Sequence, residues 1–295
     1  MSSKPPLSII DQINRLVERG IDAPDQDTRI ELARLLTDNS YSRLARYWRY
    51  AQDDRLHGDR SFRPGVTVAN LADSYRFDSA LRRLLSQGLA DFEITFRARL
   101  GYFMSVGGAA YTYRSQSTYR TLTMRRGDDA RAELLDNIQR DLERSREEFI
   151  TTALRLGDTP PLWDAMEVLT LGSVSKMYSL LDDEGVRLRI ARSFGYPNTR
   201  IAESVFRSMT VVRNICAHHA RIWNRTNVHL PPPVLNRLKT DPDQRIYQST
   251  PWAWLVVLAD LVDTIRRDDS YSSALWRLVH ANPQFVDGLK RPRRA

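Results

Sequence analysis

From Val68 to Ser105 the chain runs without a proline, and its apolar residues fall at helical intervals: Leu71, Tyr75, Leu81, Leu84, Leu85, Phe92, Phe96, Leu100 and Phe103. A stripe of that length and period is no strand, and the rest of the fold must be organised around it. The spacing predicts one long helix, with Gly88 as the place for a bend. The same period recurs upstream. Ile9, Ile10, Ile13, Leu16 and Val17 mark a short helix ending at Gly20. Ile30, Leu32, Leu35 and Leu36 mark a second, and Leu44, Tyr47 and Trp48 a third, before a polar loop through His57, Gly58 and Pro64.

Downstream, a loop from Gly107 to Thr123 precedes a charged, solvated helix over Asp128 to Leu156. Pro160 and Pro161 start a helix through Trp163, Met166, Leu169 and Met177. A short segment from Glu184 to Phe194 leads into a helix from Asn198 to about Asn224. Pro231 to Pro233 interrupt the chain, and the last helices lie near Trp252 to Arg267 and Tyr271 to His280. Lys290 to Arg294 reads as a mobile basic tail. With no alternating strand pattern and no internal repeat, the expectation is an all-α fold. It comprises an N-terminal helical extension over 1–66, a helical domain over 67–285 and a basic tail over 286–295.

Composition excludes several classes. At 42% hydrophobic and 27% charged, the chain carries enough apolar material for a sizeable core and is no disordered polymer. Cys216 is the sole cysteine, so neither an intrachain disulfide nor a Cys-rich zinc site is available. His218, His219 and His229 are too irregularly spaced for a zinc pattern, so no metal is expected. No glycine-rich phosphate loop, nucleophile elbow or kinase motif is present, so no cofactor is expected either. Met1 to Ser8 lacks the apolar core of a signal peptide, and Trp252 to Val262 is broken by Asp260 and too short to span a bilayer. The expected address is cytoplasmic, with no membrane partner. A net charge of +8 favours a polyanionic partner such as nucleic acid.

The chemistry concentrates between Arg213 and Asn224. Projected as a helix at about 100° per residue, Val205, Val212, Cys216 and Trp223 cluster on one core line. His219 falls near that line and reads as a satisfied core histidine. Asn214, His218 and Arg221 group on another face, roughly 140–200° from Cys216, and Arg213 lies about 140° from His218. Asn214, one turn before His218, is placed to fix its tautomer. An imidazole takes the proton of a ribose 2′-hydroxyl or returns one to a leaving 5′-oxygen, while a guanidinium grips the phosphate and steadies the charged transition state. Divergent on one rod, the two groups reach one phosphorus only if two chains build the site, so this chemistry requires a homodimer. The spacing carries nothing alone: with 40 Arg and 5 His, chance supplies roughly two such pairs.

Other residues have two readings each. Glu93 and Arg97 stand in the favourable order for a surface ion pair, or lie behind the motif helix holding His218 or Arg213. Arg221 contacts RNA phosphate or caps its helix through the dipole. Tyr41, Tyr47, Trp48 and Tyr50 interleave with Arg43, Arg46 and Arg49, a pattern that suits base stacking. Helical spacing instead turns Leu44, Tyr47 and Trp48 into the core and leaves the arginines outside. Tyr111, Tyr113 and Tyr119, with Arg114 and Arg120, sit in a loop where a core role is weaker. The candidate RNA-binding residues are Arg221, Arg97, Arg99 and Arg46.

The surrounding residues do match a family. RNICAHHARIWN resembles the C-terminal signature of the Abi family, the abortive-infection proteins of the AbiD/AbiF group. KPPLSIIDQINRLVERG from Lys4 to Gly20 is similar to its opening motif, YSRLARYW from Tyr41 to Trp48 to its second motif, and FDSALRRLL with RARL to its central helix. The resemblance implies a HEPN-like helical bundle and a toxin-like or antiphage role. It further implies endoribonuclease activity on an RNA substrate by a homodimer, with a small noncoding RNA as a possible partner. By that resemblance Arg213 and His218 align with the motif's Arg and His, Asn214 with the polar residue that often follows the Arg, and His219 with the signature's second His. The rival expectation is a non-catalytic RNA-binding protein of the same fold. A duplex-DNA regulator is a third, but no helix-turn-helix signature supports it.

Overall fold

The computed structural model describes residues 6–52, 61–123, 127, 129–226, 228 and 230–293. Lys4 of the opening motif, the loop residues His57 and Gly58, and Asp128, His229 and Arg294 lie outside them. Thirteen α-helices and no strands occur among the described residues, so the fold is all-α. In chain order they are α1 (Ile9–Glu18), α2 (Gln26–Asn39), α3 (Tyr41–Trp48), α4 (Val68–Met104), α5 (Ala130–Arg144), α6 (Glu148–Arg155), α7 (Leu162–Val168), α8 (Leu171–Leu180), α9 (Glu184–Ser193), α10 (Thr199–Ala217), α11 (Pro251–Arg266), α12 (Ser270–His280) and α13 (Val286–Lys290).

The proline-free run is a single helix of 37 residues. Thr67 and Asn70 open it with a reciprocal capping box, and α3, α7, α9, α10 and α11 pack along its length. Gly88, the expected place for a bend, lies where α12 meets α4. The Tyr271 ring lies so close that a Cβ there would meet it at 2.4–2.8 Å, so glycine admits α12 against α4. An aromatic cluster locks the middle of the bundle. Phe96 on α4 lies 4.5 Å from Phe206 on α10 between ring centroids, and Tyr178 of α8 and Phe194 pack on Phe206 at 5.0 Å each. Each such ring contributes about 1.5–3 kcal/mol by leaving water, and together they fix α10 against α4. The apolar run at Trp252 is α11, buried on nearly every face. Among the described residues no helix is long and apolar enough to cross a membrane. Core residues from α1 to α3 join those of the later helices in one cluster.

Several boundaries differ from expectation. The charged helix over 128–156 is two, because the chain turns extended at Ser145. The helix begun by Pro160 and Pro161 breaks at Leu169 and Thr170, where the buried Asp141 carboxylate accepts from the Thr170 amide at 2.9 Å and the Ser173 hydroxyl at 2.8 Å. Tyr113 and Tyr119 are core residues despite their loop, at 0% and 2% exposure, each donating its hydroxyl to a backbone carbonyl. The basic tail makes contacts with the fold over its described part. Lys290 pairs with Asp241 at 2.7 Å and lies over the Trp252 ring, while the Arg293 amide donates to Asn224 Oδ1 at 2.8 Å.

Candidate functional site

Asn198 caps the start of α10 by accepting from the Ile201 amide. Val205, Phe206, Met209, Val212 and Cys216 then form its buried stripe. Burial pushes the Cys216 thiol up to about 12, which makes it an inert packing residue. The helix does not continue to Asn224 as the periodicity predicts. It stops at Ala217, with His218 as its cap and His219 in the left-handed region at φ 52°. The His219 amide donates to Cys216 O at 3.0 Å and the Ala220 amide to Ile215 O at 2.9 Å, the paired bonds of a Schellman turn.

The physical cause of this stop is distant in sequence. Asp78 on α4 is fully buried and accepts from the Ile222 amide at 3.1 Å and the Trp223 amide at 2.7 Å. It also accepts from the Tyr47 hydroxyl at 2.6 Å and pairs with Arg82. Trp223 reaches the core from this extended segment, donating its indole N–H to Phe285 O at 2.8 Å and lying against Gly288. His219 is therefore exposed and not a core histidine, because the chain has already left the helix before it. Its carbonyl accepts from Arg43 at 2.6 Å.

A non-glycine residue at this turn is strained. His219→Gly is expected to raise unfolding free energy by about 1 kcal/mol, measured by urea titration, because glycine occupies φ > 0 without a Cβ penalty. Lower stability in that variant would mean that the imidazole itself holds the turn.

Arg213 leaves α10 toward α4. Its Nε donates to Glu93 Oε2 at 2.9 Å, its Nη2 to Glu93 Oε1 at 3.4 Å, and its Nη1 to Asn214 Oδ1 at 3.4 Å. Glu93 also accepts from Arg97 at 2.6 Å, both side chains being about 15% exposed, so this is an interior network and not a surface pair. Of the two readings of Glu93, the geometry is that of a residue behind Arg213. Asn214 holds the guanidinium and not the imidazole: its side chain meets Arg213, while His218 contacts Asn214 only through the backbone. Asn214, His218 and His219 are exposed, and neither imidazole forms a hydrogen bond with a described residue.

The expected RNA-binding arginines divide into two groups. Arg97 donates to Met166 O and Leu169 O at the end of α7. Arg99 donates to Ser193 O at the end of α9 and lies 4.4 Å from the Phe194 ring centroid. Both satisfy helix C-termini inside the fold. Arg221 also serves a helix end, but that of α3, through Arg46 O. Burial lowers its pKa to about 10, with Arg225 and Arg49 acting in the same direction. Arg46 is exposed on α3, beside Arg225, while Leu44, Tyr47 and Trp48 face inward as the helical spacing predicts. Arg43, Arg46, Arg49, Arg221 and Arg225 thus form a basic patch next to His219.

Sequence reasoning missed Asp78. Its signal was an acidic residue on the buried stripe of a helix, in line with Leu71, Leu81 and Leu85 and four residues before Arg82. Among the described residues no group of three His, Cys, Asp or Glu could hold a metal ion. A family model described as Abi-like protein matches residues 34–224, from α2 through the Trp223-Asn224 segment. No curated protein and no solved structure matches the chain.

Proposed function

The chain belongs to the Abi-like protein family, and on that premise we propose that it is a HEPN-type endoribonuclease acting as a homodimer in antiphage defence. Family membership points to abortive infection; the cleavage chemistry is our reading of the site. The observation that carries it is a guanidinium oriented by Glu93 and Asn214 near the C-terminal end of α10, with the exposed His218 imidazole at that helix's cap and without a partner among the described residues.

In this mechanism His218 accepts the proton of a ribose 2′-hydroxyl as that oxygen attacks phosphorus. The P–O5′ bond breaks, and the same imidazole, now protonated, returns that proton to the leaving 5′-oxygen. Arg213 of the partner subunit stabilises the charge that builds on the non-bridging oxygens in the transition state. Glu93 and Asn214 fix the orientation of the guanidinium, and His219 supports its neighbour. The basic patch around Arg46 draws the polyanion to the helix end.

The test is cleavage of RNA by purified protein in EDTA, comparing wild type with Arg213→Ala and His218→Ala. Wild type should leave 2′,3′-cyclic phosphate and 5′-hydroxyl ends, and both variants should lose activity. Equal cleavage by all three would overturn the proposal. Salt-dependent RNA binding without cleavage would leave the non-catalytic reading in its place.

A further inference from the structure

The outer face of α10 carries more than the motif. Arg200, Arg207 and Asn214 recur every seven residues, and His218 follows four later. At about 100° and 1.5 Å per residue these four fall within about 40° of one line and span about 27 Å. Arg200, Arg207, Asn214 and His218 are all exposed.

Beside this line lie two adjoining hollows. The first, of about 400 Å³, begins at the first turn of α10 and is lined by Arg120, Arg187, Arg200, Arg207, Glu184 and Glu203. The second, of about 540 Å³, is lined by Leu122, Lys176, Leu180, Arg207, Thr210 and Val211. Arg207, Glu203 and Leu230 belong to both, so they form one cleft, which runs along α10 as far as Val211. Each is large enough for a nucleotide-sized group.

Charge within the cleft is unevenly spent. Arg187 pairs with Glu184 at 2.8 Å and Glu203 at 2.9 Å, and Arg120 with Glu203 at 3.3 Å and with Ser179 O at 2.5 Å. Lys176 pairs with Glu133 at 2.8 Å. Those cations are largely balanced where they stand. Arg200 and Arg207 pair with no described residue, so theirs is the positive charge left to meet a ligand. The second hollow adds Leu122, Leu180 and Val211, an apolar surface suited to an unstacked base.

We infer that single-stranded RNA lies along α10, with Arg200 and Arg207 on its phosphates and a base in the apolar hollow beside Val211, on one side of the bond presented to His218. This rests on the RNA reading above and adds a binding track to it. A single strand fits because unstacked bases can turn into recessed hollows, whereas a duplex keeps them stacked.

The experiment measures binding of a fluorescent 12-nucleotide RNA across a salt series, with every protein carrying His218→Ala so that the probe stays intact. For single strands each phosphate neutralised contributes about 0.7 to the slope of log K against log salt. Arg200→Ala/Arg207→Ala should therefore reduce that slope by about 1.4. A control pair, Arg146→Ala/Arg155→Ala at α6, should leave it unchanged. An unchanged slope for the α10 pair overturns the inference. So does loss of binding to adenosine monophosphate equal to the loss for RNA, which would identify a phosphorylated small molecule as the occupant. Cleavage by wild-type protein with an unaltered slope sinks the track alone; the expected slope change without wild-type cleavage sinks the catalytic reading alone.

Discussion

His218→Ala is expected to slow RNA cleavage by a factor of about 10²–10⁴, the range for removing a general acid or base. Its melting temperature should stay close to that of wild type, because an exposed side chain without a partner among the described residues contributes within about 0.5 kcal/mol to stability. Arg213→Ala should lose a comparable factor, about 10²–10³, through transition-state charge. Arg213→Lys should recover little of it, since a lysine keeps the charge but cannot span Glu93 and a phosphate with one planar fork. Initial rates with melting curves on the same preparations separate these effects. A His218→Ala protein that is folded and cleaves at the wild-type rate would contradict the assignment.

Asp78→Ala should be the most damaging single change to the fold. The carboxylate is fully buried and serves four donors from three parts of the chain: Tyr47, Arg82 and the amides of Ile222 and Trp223. Removing it leaves the Arg82 charge and two amides buried without their acceptor. Breaking a buried pair in this way costs about 3–5 kcal/mol, equivalent to a melting temperature lower by roughly 10 °C. Calorimetry checks this, and a shift below about 2 °C would mean that water or another group replaces the carboxylate. The site should fail with the fold, since those two amides fix the chain immediately after His219.

The helical class and the length of α4 were readable from period alone, because a core stripe at 3.6 residues leaves its mark wherever one face is buried. So was the inward turn of Leu44, Tyr47 and Trp48. The end of α10 was not readable. Trp223 continues the apolar stripe on a helical projection, and no glycine or proline follows Ala217 to announce a stop. The chain leaves the helix because Asp78, far away in sequence, takes its amides, and a local pattern does not encode that. The misplacement of His219 in the core follows from this one error. Tyr113 and Tyr119 were likewise hidden, because a buried loop has no period to detect. Arg213 and His218 stood out only through the family signature around them, whereas the Glu93–Arg213 contact needed the packing of α4 on α10.

The central claim is that one phosphodiester is served by groups from two identical chains. Mixing Arg213→Ala protein with His218→Ala protein under conditions that let subunits exchange tests it most directly. If each site takes its arginine from one chain and its imidazole from the other, a mixed dimer holds one intact site. Random reassortment should then restore about a quarter of wild-type activity from two nearly inactive proteins. A mixture no more active than the sum of its components, after exchange has been verified, would contradict the claim.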